Sequence, residues 1–246
     1  MREVILDIET APNLGYTWGK YQQDVLRFER ESYIMAFAYK EPGKRAVSRI
    51  LPDYKSYRRS PYDDTAICTE LWDVLNNVDF AIGHNVDRFD IRRIRARCVT
   101  DGLSPIRPFK IIDTLKIARK YFNFQSNKLG DLADTLKIGM KVRTGGFDLW
   151  WDCMHGDMKQ WEHMRKYCVH DIVLNEQVYD RLGPWHVTHP NTRHNDHACP
   201  KCGGHTQAHG WEIRKCRRVR RYQCRMPQCA KWSYGESEAV EGVQLG

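Results

Sequence analysis

The chain has 246 residues, 41% hydrophobic and 28% charged, with 39 Lys or Arg against 31 Asp or Glu, a net charge of +8 and a pI near 9.0. That length suits one medium domain with a small appendage or two small domains, and the lack of any apolar run of about 18 residues excludes a membrane-spanning helix. The excess positive charge favours a polyanionic partner, and nucleic acid over a membrane surface because no strongly apolar amphipathic helix accompanies it.

Val4-Ile5-Leu6-Asp7-Ile8-Glu9-Thr10 reads as a buried strand in which period-two alternation aims Asp7 and Glu9 at one face. Two carboxylates side by side repel each other and lose hydration, which a divalent cation would relieve, and oxygen-only ligation suits Mg²⁺ or Mn²⁺ better than zinc. The bland alternative is a strand that ends in a charged, solvated turn. Pro12 and Gly15 break the run, and Tyr16 to Arg30, aromatic and charged, has no assignable element. Residues 33–39 and 45–51 read as a hairpin around Glu41-Pro42-Gly43-Lys44, giving three consecutive strands with the first. Asp64 stands as the N-cap of a helix from Thr65 to Asn76.

Phe80 to Gly83 is a short strand leading through His84 and Asn85 to a basic helix with Arg92, Arg93, Arg95 and Arg97. Ile111-Ile112 forms a strand ending at Asp113, and residues 114–121 and 126–136 read as helices. Residues 137–146 make a basic loop, and Phe147 to Trp151 a short buried turn. A long helix runs from Met158 or Lys159 to Arg181, stopped by Gly183-Pro184. Strands alternating with helices in this way indicate an α/β layer. The expected organisation is a domain over 1–184, a linker over 185–198 rich in His, Pro, Thr and Asn, a cysteine-bearing module over 199–235, and a tail over 236–246.

Nine cysteines are unevenly placed, five of them between Cys199 and Cys229. The opening residues lack a charged-then-apolar signal pattern, so a reducing, cytoplasmic location is expected, and metal ligation is favoured over disulfides. Cys199-Pro200-Lys201-Cys202 and Cys224-Arg225-Met226-Pro227-Gln228-Cys229 supply two close pairs of thiolates, the pattern of a structural zinc ribbon holding one Zn²⁺. His205 or His209 is the alternative fourth ligand, and Cys216 is left over. Arg217, Arg218, Arg220 and Trp232, within a run of arginines interleaved with rings, suit a nucleic-acid backbone and its bases; protein docking or plain stabilisation is the alternative.

Asp7, Glu9, Asp90 and Asp171 complete a pattern, with Tyr167 four residues before Asp171 and so on the same helix face. Singly each has a structural explanation: Asp171 as a surface helix acid, Tyr167 as a core aromatic, Asp90 as an N-cap. Jointly, Asp7-Ile8-Glu9, Asn85 through Phe89-Asp90, and Tyr167-Cys168-Val169-His170-Asp171 resemble the three motifs of the DEDD superfamily of 3′-to-5′ exonucleases over residues 1–184. Position 166 is Lys, so the third motif looks like the tyrosine subtype; His170 points about 100° away from Asp171. The Asn-to-Asp interval of five departs from the four of many members and is similar to the proofreading domains of family B DNA polymerases; the flanking Phe89 makes Asp90 the candidate over Asp87. Asp113 is read as a structural helix cap.

The resemblance implies a ribonuclease H-like α/β fold, a mixed sheet flanked by helices, with the zinc ribbon as a small C-terminal β domain. It implies phosphodiester hydrolysis with two Mg²⁺ or Mn²⁺ ions about 4 Å apart, which stabilise the attacking and leaving oxygens together. Asp7 would bridge them, Asp90 and Asp171 would complete their ligation, and Glu9 with Tyr167 would orient the water. Thr10, Tyr16, Trp18, His84, Asn85, Arg88, Lys128, Lys141 and Arg143 are candidates for gripping the strand. The substrate expected is DNA with a single-stranded 3′ end, RNA being the other choice, and a free-standing, phage-encoded nuclease is the implied setting. A structure-selective endonuclease on this fold and a non-catalytic zinc-ribbon adaptor are the rival readings, and oligomeric state is left open.

Overall fold

The structure is a computed structural model and describes residues 2–21, 24–139, 145–186, 198–200, 202–214 and 217–239. The chain divides into two compact units, Arg2–Tyr179 and Asp180–Gly246. The larger is built on a five-stranded sheet formed by β1 (Glu3–Thr10), β4 (Ile34–Lys40), β5 (Val47–Ile50), β6 (Phe80–Gly83) and β7 (Lys110–Asp113), in the order β5-β4-β1-β6-β7. β1 lies at its centre, antiparallel to β4 and parallel to β6, and β6 is parallel to β7.

The residues account for this order. β1 buries Val4, Ile5, Leu6 and Ile8, and β4 buries the continuous run Ile34–Ala38, the pattern of strands covered on both faces. The cover comes from α1 (Thr65–Asn76), α2 (Asp90–Thr100), α3 (Thr114–Tyr121), α4 (Leu129–Thr135), α5 (Asp148–Met154) and α6 (Met158–Leu182). Helical spacing puts Ile67, Leu71 and Leu75 of α1, and Ile91, Ile94 and Cys98 of α2, into the core. α6 buries Trp161, Met164, Cys168, Ile172 and Leu182, each such side chain contributing roughly 1.5–3 kcal/mol. Trp161 satisfies its indole N–H on the Tyr57 hydroxyl at 3.1 Å.

Four local expectations are corrected. Phe147 is the N-cap of α5 and Asp148 to Trp151 its first residues, with buried Leu149 and Cys153 spaced one helical turn apart. α4 begins at Leu129 rather than Ser126, because Lys128 is extended. Asp64 precedes α1 as expected but makes no cap bond: its carboxylate accepts from the Ile34 N–H at 2.8 Å and the Arg97 Nε at 3.0 Å, tying β4 to α2. The unassigned stretch after β1 forms a small two-stranded ribbon, β2 (Leu14–Tyr16) with β3 (Arg27–Arg30).

The smaller unit carries a three-stranded antiparallel sheet, β8 (Thr206–Arg214), β9 (Arg217–Cys224) and β10 (Trp232–Ala239), in the order β10-β9-β8. β10 continues past Gly235, where the ribbon was expected to end. Most of the expected linker, residues 187–197, and Lys141, Arg143, Lys201 and Cys216 lie outside the described residues. No helix among the described residues is long and apolar enough to cross a membrane.

Candidate active site

Burial along β1 alternates at its C-terminal end, so Asp7 and Glu9 leave one face of the sheet while Ile8 enters the core on the other. β6 pairs with β1 only from Glu3 to Ile5 and then turns away at Gly83, which leaves the Ile8 N–H without a strand partner. Asp90, the first residue of α2, takes its place: its Oδ1 accepts from the Ile8 N–H at 2.9 Å. Across the same opening α6 presents Tyr167 and Asp171, both buried. Carboxylate oxygens of Asp7, Glu9 and Asp171 lie within 4.8 Å of one another, and Asp90 and Tyr167 line the same cleft of about 1030 Å³.

Crowding these acids has electrostatic consequences. Burial pushes the Asp90 carboxyl up to about 7, the Asp113 charge adding to that and the bond from Ile8 opposing it. Burial, then the charges of Glu9 and Asp171, a hydrogen bond to Asp171 and the Asp7 charge, raise the Tyr167 phenol far above 10, so it keeps its proton beside Asp171. Cys168 is driven up by burial first and by Glu9 and Asp7 next, and stays a neutral filler behind the site. Three convergent carboxylates, with Asp90 in the same cleft, fit hard divalent cations, whose charge would favour the ionised form of Asp90. A second acidic group, Asp64, Cys68 and Asp101, has comparable spacing, but Arg97 is its cation, 2.5 Å from Asp64 and 3.3 Å from Asp101.

A family model described as the RNase H superfamily matches residues 4–183. The chain belongs to the RNase H superfamily. Among solved structures it is similar to the family B DNA polymerase from the hyperthermophilic archaeon Pyrobaculum calidifontis, with 15% identity, a TM-score of 0.56, and coverage of 75% of this chain and 25% of that one. At that identity the likeness is one of fold, and the chain spans about a quarter of the polymerase's length. No curated protein matches. The superfamily and the acidic cleft together support a nuclease-type function.

In this RNase H-like unit the acids stand on a braced scaffold. Asn85, held at φ 65°, donates its N–H to Asp113 Oδ1 at 3.0 Å; Asp113 also accepts from the Leu115 N–H, so it caps α3 as the sequence suggested. His84 engages Thr114 Oγ1 and the Asn127 carbonyl through its two ring nitrogens, each at 2.9 Å. Its nitrogens therefore anchor the 125–128 loop, and the ring lines the acidic cleft. Asp87 is ion-paired with Lys116.

The other binding candidates separate. Asn85 and Lys128 line the acidic cleft. Thr10 lines an adjacent hollow of about 340 Å³ with Arg93, Phe147 and Trp150, and Arg88 a third of about 320 Å³ with Asn85 and Arg119. Tyr16 and Trp18 stand exposed on the β2–β3 ribbon, Tyr16 bonded to Glu29 at 3.0 Å. Sequence reasoning missed Arg119 and Trp150; Trp150 sets its ring edge-to-face with Tyr167 at 5.9 Å. Neither carries a motif, and only the α5 and α3 helices bring them in.

In the smaller unit Cys199, Cys202, Cys224 and Cys229 converge within 4.8 Å, with Sγ···Sγ distances of 3.7 Å for 199–229 and 3.5 Å for 202–224. Tetrahedral zinc with Zn–S of about 2.3 Å sets such distances near 3.8 Å, so the four thiols and small antiparallel sheet fit a zinc ribbon. Gly204 N–H and Met226 N–H each point at a cysteine sulfur at 3.4 Å, favouring thiolates. A Cβ on Gly204 would stand 2.3 Å from Met226 Cγ, so a larger residue there would have to displace the Met226 side chain. His209 packs on Trp232 at 5.1 Å and, like His205, is outside the thiol cluster. Arg218 is ion-paired with Glu238 at 2.6 Å.

Proposed function

We propose that the chain is a metal-dependent 3′-to-5′ exonuclease of the tyrosine DEDD subtype, acting on nucleic acid with DNA favoured, with the ribbon aiding substrate binding by tethering. The observation that carries this is the convergence of Asp7, Glu9 and Asp171, with Tyr167 and Asp90 in one cleft. Asp7, Glu9, Asp90 and Asp171 would hold two Mg²⁺ or Mn²⁺ ions. Such ions supply Lewis-acid stabilisation of the attacking and leaving oxygens and lower the pKa of the attacking water.

The chain's own groups do the rest. Glu9 accepts a hydrogen bond from the attacking water while the protonated Tyr167 hydroxyl donates to it, fixing its line of approach. Asp90 holds the end of β1 in register through Ile8, so the carboxylates keep their spacing. Asn85 and Lys128 are placed to contact the strand within the cleft. Terminal polarity is supported by the Tyr-x-x-x-Asp motif on α6 and by the fold shared with a polymerase.

Digestion of a 5′-labelled single strand with Mn²⁺ tests the reading. Nested products shortened from the 3′ end are expected, with circular single strands left whole and Asp7→Ala inactive. Linearised circles would make it an endonuclease, and an inert protein that still binds the strand would make it an adaptor.

A further inference from the structure

We propose that one face of the ribbon, carrying Arg214, Arg217, Arg221, Trp232 and Tyr234, is a stacking platform for single-stranded nucleic acid. The inference rests on the reading that this chain acts on nucleic acid, and it assigns the contact to particular side chains.

The strand register separates two faces. Residues opposite one another in a sheet share a face, and faces alternate along a strand. On one face of β9, Arg218 stands opposite Ile213 and Glu238, and Arg220 opposite Trp211; Tyr222 and Cys224 follow, both buried toward the thiol cluster. On that face Arg218 is neutralised by Glu238, and both arginines lie over the Trp211 ring, at 5.0 and 5.3 Å. The face is already used.

On the opposite face Arg217 stands against Arg214, Arg221 against Tyr234, and Gln223 against Trp232. Trp232 and Tyr234 each remain 43% exposed. Arg214 lies 3.8 Å over Tyr234 and Arg221 5.3 Å over Trp232, so cations flank the rings. Arg217 donates to Ser237 Oγ and O, and Arg221 to the His209 carbonyl, all neutral acceptors; Glu212, the acid on this face, is ion-paired with Arg214, bonded to Tyr234 and within the field of Arg221, so Arg217 is the cation of the three set apart from it. Residues 199–239 hold nine Lys or Arg against three Glu, so most of the net +8 sits on this small unit. Such charge selects a polyanion, and exposed rings two residues apart on β10 select one whose bases are unstacked, a single strand rather than a duplex.

Full-length, zinc-loaded protein carrying Asp7→Asn, to prevent turnover, is titrated into a labelled single-stranded oligonucleotide across a salt series. Arg217→Gln/Arg221→Gln and Arg218→Gln/Arg220→Gln each delete two charges from the same strand but on opposite faces. The first pair is expected to weaken binding at least about tenfold and to flatten the salt dependence by about 1.4 in slope, the second to change affinity less than about twofold. Tyr234→Leu, which keeps every charge, is expected to weaken binding about tenfold at unchanged slope. Equal losses from both pairs, no loss from the first, or duplex bound as tightly as single strand would overturn the platform. Hydrolysis by the wild-type chain of the p-nitrophenyl ester of thymidine 5′-phosphate, a substrate with no neighbouring phosphates to grip, reports on the acidic cleft separately. Its failure sinks the nuclease reading while leaving the binding comparison to decide the platform.

Discussion

Asp90 accepts a hydrogen bond from the backbone of the central strand and also supplies a charge to the cleft, and two substitutions separate these tasks. Asp90→Asn keeps an acceptor for Ile8 and should fold, yet lose turnover at least about a hundredfold; Asp90→Ala strands the buried N–H and should also lose about 1–3 kcal/mol in chemical denaturation. Because burial raises the Asp90 carboxyl above its unfolded value of 3.8, to about 7, the unfolded state binds fewer protons than the folded one between these values, and stability falls across that window. Its contribution to stability is therefore best below the unfolded value and worsens as pH rises through 7. Without added Mn²⁺, Asp90→Asn is expected to melt close to wild type at pH 4 and above it at pH 8; a pH-independent gap between the two melting curves would contradict this. For Tyr167, whose phenol keeps its proton, Tyr167→Phe should cut the single-turnover rate about 10–100-fold with Mn²⁺ affinity unchanged.

At the scale of elements, the long α6 was legible from apolar residues at helical spacing, and the central strands from short continuous apolar runs bounded by turn residues. The β2–β3 ribbon was not, since Leu14, Tyr16 and Phe28 are exposed and no burial pattern marks a strand. α5 was misread because seven residues give barely two turns of periodicity. Of the site, the four acids and Tyr167 could be picked out by spacing, whereas the role of His84 depends on Thr114 and Asn127, which only the fold brings to it. Gly83 is a comparable case: a Cβ there would sit 2.4 Å from Val86 Cβ and 2.9 Å from the Leu6 carbonyl, where β6 leaves β1. Gly83→Ala should destabilise by about 1–3 kcal/mol and lower Mn²⁺ affinity with it, read by thermal melting and titration on the same sample.

The two units set the behaviour of the whole molecule. Among its described residues the smaller has few buried apolar side chains beyond Leu182, Ala198 and Tyr222, so zinc would supply its folding energy, while the RNase H-like unit has its own core. Chelating zinc should abolish one calorimetric transition and leave a second; a single transition that shifts as a whole would argue against independent units. Charge follows the same division: the ribbon is basic, and the cleft of the larger unit is lined by carboxylates, where a polyanion is repelled unless cations are bound. The most direct measurement is therefore calorimetric titration of Mn²⁺ into the zinc-loaded chain and its Asp7→Asn and Asp171→Asn variants. Uptake of about two ions per wild-type chain, weakened at least tenfold in both variants, is the expected result. No Mn²⁺-dependent heat from the wild type, or equal uptake by all three proteins, would contradict it.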